Sequence, residues 1–330
     1  MKALVENTIF SISSKEEFIS TAFEIFRYQA VNNDVYAKYL KYRGIDYKSV
    51  NRIDEIPFMP ISFFKDLRVV CGKFIPEATF LSSGTSNLNR SSHYIKHLAL
   101  YERSFTECFK LFYGEPSSYA FLALLPSYLE RDGSSLVYMA KTLIRKSCKK
   151  ESGFYLDDFQ GLNETIKELK KQSAKIILFG VSFALLDFAE KIGTDLSDVI
   201  IIETGGMKGR RKELVREELH NRLKVAFNTN EIHSEYGMTE LLSQAYSKKD
   251  GLFFSPPWMK VMIRDHLDPG VYVPVEVSGG LNIIDLANIH SCSFIETSDL
   301  GKIHKDGGFE ILGRFDNSDI RGCNLLVEQI

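Results

Sequence analysis

The chain has 330 residues, of which 44% are hydrophobic and 25% charged, with a formal net charge of −2. That length buries a substantial core, and so even a balance of charge excludes a global field that recruits nucleic acid or an anionic membrane. No segment reaches the roughly 18–20 apolar residues that span a bilayer. Glu6 and the polar Ser11–Ser14 break any signal-peptide run, so a cytoplasmic protein without stable membrane insertion is expected.

In chain order, Ser14 with Glu17 three residues on forms a capping box, and Phe18, Ala22, Ile25 and Phe26 give the helix it opens one apolar face. A second helix is predicted over Asn33–Lys41, ending near Gly44. Ile56–Lys65 carries Pro57 and Pro60 among aromatics and reads as an extended, partly buried connector. From about residue 78 to 240 strands and helices alternate. Tyr119–Leu125, Lys175–Gly180 and Val199–Glu203 read as strands, and Ser134–Lys146, Ser182–Lys191 and Glu213–Leu223 as helices. This alternation implies crossover units and a mainly parallel sheet.

Beyond about residue 250 the helical periodicity stops. Leu252–Phe254, Met259–Ile263, Val271–Pro274, Leu281–Asp285, Ser293–Thr297 and Phe309–Leu312 are short strand-like runs, which predict a small β-barrel or meander beside the α/β part. The expected division is a helical segment and connector over 1–75, an α/β core over 76–245 and a β-rich part with its tail over 246–330. Cys71, Cys108, Cys148, Cys292 and Cys323 contain no C-x-x-C pair and are odd in number. They therefore read as reduced thiols, neither a disulfide framework nor a zinc site. The seven histidines form no H-E-x-x-H pattern.

Four segments carry chemistry. Ser82-Ser83-Gly84-Thr85-Ser86-Asn87-Leu88-Asn89-Arg90 follows an apolar run. Its hydroxyls, backbone N–H groups and Arg90 suit phosphate oxygens, although it is no Walker loop and can equally be a polar turn. His233–Glu240 gathers Tyr236, Gly237, Thr239 and Glu240: an aromatic face for a base, a hydroxyl for a phosphate, a hard oxygen ligand for Mg2+. A strand end with a salt-bridged glutamate accounts for the same residues. Asp299, before the turn at Gly301, is placed to accept hydrogen bonds from a ribose or is a plain turn aspartate. Arg314, in Gly313-Arg314-Phe315-Asp316, is a fixed cation there or a surface arginine.

In this order the four segments resemble the core motifs of the adenylate-forming superfamily, which includes acyl-CoA synthetases and peptide-synthetase adenylation domains. Ser82–Arg90 resembles its phosphate loop, with Arg90 at the usual lysine and Asn87 at a usual glycine. Tyr236–Glu240 resembles the adenine and Mg2+ motif, Ser298–Gly301 the ribose turn, Gly313–Asp316 the hinge motif. Gly205 and Gly206 match the place where backbone lies against adenine. The connector Ile56–Lys65, Leu125–Ser127, Gly205–Lys208 and Arg321-Gly322-Cys323 further resemble the acyl-protein synthetases of bacterial luminescence, the LuxE type. The resemblance implies an α/β enzyme with a β-barrel-like subdomain, without the small C-terminal domain of the wider superfamily and its catalytic lysine.

It also implies ATP and Mg2+ as cofactors, a carboxylic (fatty) acid as substrate, an acyl-adenylate intermediate and an acyl-reductase or other acceptor protein as partner. Mg2+ falls to Glu240 and the α-phosphate to Thr239. The β- and γ-phosphates fall to Ser82, Ser83, Thr85 and Arg90, the base to Tyr236 and the ribose to Asp299 with Arg314. Arg90 and Lys208, with Lys96 behind them, replace the missing lysine, and Cys323 becomes the acylated thiol, its thiolate favoured by Arg321. Cys323 can also be a small buried hydrophobe. His93 and His233 flank two motifs, as ligand-orienting or as structural residues, and Phe183 and Met238 are candidate pocket or core residues. Two other readings stay open: a ligase acylating coenzyme A or a carrier protein, of the phenylacetate-CoA ligase type, and a nucleotide-binding partner subunit without turnover.

Overall fold

The computed structural model describes residues 6, 8–82, 90–126, 133–205 and 214–315, and among these no helix is long and apolar enough to cross a membrane. Helix α1 (Lys15–Asn32) opens on the expected capping box and buries Phe18, Ala22, Ile25 and Phe26. Asn33 ends it and caps α2 (Asp34–Tyr42) by accepting from the Val35 and Tyr36 N–H groups. The connector is extended through the short strand β1 (Met59–Pro60). It then differs from expectation by coiling into one helical turn, α3 (Phe63–Asp66), because the backbone restriction ends with Pro60.

Strands β2 (Ala78–Leu81) and β3 (Ser92–Ile95) form a separate antiparallel hairpin. There follow α4 (Leu98–Tyr113), β4 (Ala120–Leu124), α5 (Ser135–Ser147), β5 (Gly153–Phe154), α6 (Phe159–Lys171), β6 (Ile176–Val181), α7 (Ser182–Ile192), β7 (Val199–Thr204), α8 (Arg216–Phe227) and β8 (His233–Tyr236). The predicted helix over 213–223 is thus shifted toward its C-terminus. Every residue of β4 and β6 is buried, as uninterrupted apolar runs covered on both faces must be. These strands pair in parallel in the order β5-β4-β6-β7-β8.

The remaining strands are β9 (Ala245–Ser247), β10 (Phe253–Phe254), β11 (Met259–Arg264), β12 (Ser278–Asp285), β13 (Phe294–Ile303) and β14 (Phe309–Arg314). Strands β11 to β14 form the expected antiparallel meander, which is not closed into a barrel. β9 turns back antiparallel on β8, and the rest continue outward, giving one 12-stranded sheet with β11 at one end and β5 at the other. The sheet is therefore mixed rather than mainly parallel. Val271–Pro274 is no strand; it makes one bridge, Arg264 to Tyr272, because Pro274 cannot donate and Val271 faces solvent.

Alternation along β7 separates the two faces of the sheet. Glu203 points at α7 and α8, where Phe159, Phe188 and Phe227 touch ring to ring. The opposite face packs on α4 through Phe109 against Phe121 and Tyr113 against Tyr246. The N-terminal helices are joined to the distant β12–β13 connection by buried polar bonds. Gln29 Nε2 donates to the Asn288 and Ile289 carbonyls at 3.0 and 3.1 Å, and its Oε1 accepts from Ser293 N–H at 2.9 Å. Asn33 donates to the Ser291 carbonyl at 2.9 Å, and β1 pairs in parallel with β13. Replacing Gln29 by leucine strands these groups without partners, and urea denaturation should show a loss of about 2–4 kcal/mol.

Candidate active site

Thr204 and Glu235 are register partners at the carboxyl ends of β7 and β8, the edge of a parallel sheet where crevices form. Next in the chain, Tyr236 is buried with Phe253 and Phe309 edge-on to its ring, each 6.0 Å away centre to centre. Its hydroxyl donates to Asp299 Oδ2 at 2.7 Å. Arg314, paired with Asp299 across β13 and β14, donates Nε to Oδ1 at 3.0 Å. One carboxylate thus joins β8 to β14. Burial and then the Asp299 charge raise the Tyr236 pKa, and the same charge raises that of Arg314. Three residues that stand in separate motifs of the sequence form one hydrogen-bonded group, and no local pattern signals the contact of the tyrosine with the aspartate.

The β2–β3 hairpin supplies the second wall. Ser82 N–H donates to the Ser91 carbonyl at 3.0 Å and Ser91 N–H to Ser82 Oγ at 2.9 Å, closing the neck of the hydroxyl-rich segment. Arg90 stands beside this neck, half-buried. Burial raises the pKa of the Glu240 carboxyl, against the opposing pull of the nearby Ser91 hydroxyl and of Arg314. His93, two residues further, places Nδ1 2.8 Å from the Thr239 carbonyl and Nε2 3.0 Å from Asn288 Oδ1. Asn288 in turn donates to the Glu240 carbonyl at 2.8 Å and the Cys292 carbonyl at 3.0 Å. Burial pushes the His93 pKa down to about 4, so the neutral ring donates to one of its two oxygens at a time. Its nitrogens are taken up by protein oxygens, which gives His93 the structural role rather than phosphate contact.

Gly205 follows β7 with φ of 67°, the left-handed region that favours glycine. Ser182 Oγ lies 2.5 Å from the Gly205 carbonyl and 3.0 Å from Glu203 Oε2. Arg216 and His220 stand 3.4 and 3.5 Å from the other Glu203 oxygen. Burial works to raise the Glu203 pKa, but His220 and Arg216 hold it below its usual value. On the opposite face Thr204 Oγ1 donates to Glu235, whose pKa burial raises to about 7. Sequence reading missed Ser91, Asn288, Glu203 and Glu235; their identities are ordinary, and only the pairing of distant strands gives them partners. His233 meets Tyr113 Oη at 3.2 Å, and Phe183 is core.

Ser83, Gly84, Thr85, Ser86, Gly206, Lys208 and Cys323 lie outside the described residues. Gly237 is exposed, and Met238 and Thr239 are half-buried beside it. Of the described cysteines, Cys71, Cys108 and Cys292 are buried and Cys148 is exposed. Burial raises the Cys108 thiol pKa and pushes that of Cys292 up to about 12, so neither is a nucleophile.

No family model and no curated protein matches the chain. Solved structures do. ATP-bound MatB from Rhodopseudomonas palustris aligns with a TM-score of 0.53 and 17% identity, over 73% of this chain and 49% of that one. A 2-hydroxyisobutyryl-CoA ligase in an open conformation with 2-HIB-AMP and CoA aligns with a TM-score of 0.69 and 10% identity. It covers 92% of this chain and 70% of its own. The chain therefore spans about half the length of MatB, and at these identities the likeness establishes that it shares the fold of these structures.

The Glu235 carboxyl gives a pH signature. With its folded value near 7 and its usual value 4.5, the folded state binds more protons between these limits, so stability falls as pH rises from 4.5 to 7. Glu235→Gln keeps the acceptor for Thr204 and removes the titration. In paired denaturation curves the variant should match the parent near pH 4.5 and exceed it at pH 8 by up to about 3 kcal/mol.

Proposed function

We propose that the protein activates a carboxylic acid with ATP as an acyl-adenylate and passes the acyl group to a thiol. The observation that carries this reading is the hydrogen-bonded Asp299–Tyr236–Arg314 group, with the buried Glu240 carboxyl close enough to feel the charges of Asp299 and Arg314 and the Ser91 hydroxyl of the hairpin neck. A ribose-holding carboxylate, a candidate metal carboxylate and a phosphate loop are what adenylation needs within one nucleotide's reach. The adenylate-forming fold of the neighbours supports the same assignment.

A carboxylate is a poor acyl donor because oxide is its leaving group. Its oxygen attacks the α-phosphorus of ATP, the bond to the bridging oxygen breaks and pyrophosphate leaves. A thiolate then attacks the carbonyl carbon and AMP departs with the bonding pair, so each step is balanced. Both partners of the first step are anionic, so orientation and charge neutralisation dominate. Asp299 with Arg314 fixes the ribose, Thr239 and Arg90 donate to phosphate oxygens, and Gly205 presents backbone to the base. Glu240, a hard oxygen ligand next in the chain to Thr239, fits Mg2+, which takes one or two carboxylates together with phosphates. When bound it supplies neutralising charge at those oxygens.

The acceptor is proposed to be Cys323, with a fatty acid as donor and a reductase as eventual recipient, as the LuxE-type resemblance implies. Carboxylate-dependent exchange of labelled pyrophosphate into ATP, run across a chain-length series, tests the first half-reaction. Asp299→Ala should raise the KM for ATP at least about tenfold. Absence of exchange with every acid would overturn the activity. Cys323→Ser should keep the exchange and lose hydroxylamine-labile acyl labelling. Labelling that persists would remove the cysteine and turn attention to coenzyme A or a carrier protein as acceptor.

A further inference from the structure

We propose that Arg264, buried behind the ribose end of the site, is a positioning residue that holds the Asp299 segment in its nucleotide-binding shape; this rests on the nucleotide reading above. Between β12 and β13 the register slips. Gly280 pairs with Leu300 and Asn282 with Glu296, so Leu281 alone stands opposite Thr297, Ser298 and Asp299. Those three residues arch out of the ladder, and the arch carries Asp299 toward Tyr236 and Arg314. An arch of this kind leaves backbone groups without ladder partners, and each must be satisfied by something else.

Arg264 satisfies them. Its guanidinium fills the gap under the arch, with the residue 5% exposed. Nη2 donates to the Thr297 carbonyl at 2.7 Å, and Nη1 donates to the Leu281 carbonyl at 2.7 Å and to Asn282 Oδ1 at 3.0 Å. Nε faces Glu296 Oε1 at 3.8 Å, and the ring of Phe315, next to Arg314, lies 5.6 Å from Cζ. Phe315 is itself tied to the arch, its N–H donating to the Ser298 carbonyl at 2.8 Å. Thr297 Oγ1 completes the set: it donates to the Leu281 carbonyl at 2.9 Å and accepts from Asp299 N–H at 3.1 Å.

The space is made for this side chain. A Cβ at Gly280 would sit 2.4 Å from Arg264 Cζ, so only glycine lets the guanidinium lie there. The planar fork matches two carbonyls and an amide oxygen at once, which an ammonium cannot do. The hydrogen bonds of Arg264 go to the Thr297 and Leu281 carbonyls and the Asn282 side chain. The residue acts through the backbone of Thr297 and through Phe315, at the two places where Asp299 and Arg314 are attached.

The test reads ribose recognition, which a general loss of packing would not move selectively. Titration calorimetry compares ATP with 2′,3′-dideoxy-ATP on the full chain. The parent should prefer ATP by at least about tenfold. In Arg264→Met, and in Thr297→Val as the milder variant if the first does not fold, that preference should collapse toward one. Arg264→Lys should lie between. A variant that folds and keeps the full preference would overturn the role given to Arg264. A parent that binds ATP without preferring the ribose hydroxyls would overturn the Asp299 assignment, and this inference with it. A parent that binds neither nucleotide would overturn the proposed function itself.

Discussion

The arrangement depends on one anion kept where water is scarce. Asp299 is 4% exposed, yet its carboxylate accepts from a tyrosine hydroxyl and from an arginine. A buried carboxylate is costly unless its lone pairs are met by donors. Tyr236 comes from the parallel half of the sheet, and Arg314 and Asp299 from the antiparallel half. The condition that Asp299 be satisfied therefore fixes how the two halves meet. The candidate site lies at that junction.

A second set of bonds holds the opposite wall. His93, Asn288 and the 239–240 backbone form a chain in which side chains bond mostly to main-chain oxygens. Such bonds locate a loop without help from regular structure. Asn288 is also where α1 reaches in through Gln29, so the N-terminal helices support the site from behind. Asp285 belongs to the same support: fully buried, it accepts from the Leu242 and Ser243 N–H groups at 2.8 and 3.0 Å and fixes the turn after Glu240.

Much of this was legible in the order of residues. The capping box at Ser14, the apolar runs of β4, β6 and β7, and the separate motifs around Tyr236, Asp299 and Arg314 are local signals, carried by period and by turn chemistry. What escaped were features set by partners far along the chain. Nothing near Val271–Pro274 reveals that its neighbours β11 and β12 pair without it. The β10–β14 strands read as a separate body because strand order in a sheet is a long-range property; their alternation fits a barrel equally well. Glu203 and Glu235 look like ordinary strand-end acids, and their contrasting environments arise from α8 on one face and α4 on the other. The bulge opposite Leu281 is written only faintly, in the paired glycines Gly279 and Gly280.

The parallel pairing of Met59 with Ile295, and the reach of Gln29 to Asn288, have a consequence for how the protein comes into being. On the ribosome the first helices emerge long before their partners exist. The stripe of Phe18, Ala22, Ile25 and Phe26 meets Tyr36 early, but its contact with Phe294 must wait until that distant strand has left the exit tunnel. The central parallel strands can assemble earlier among themselves. Nascent chains should therefore pass through a stage in which the middle is native-like and the amino-terminal stripe is open to chaperones, and the site is completed last.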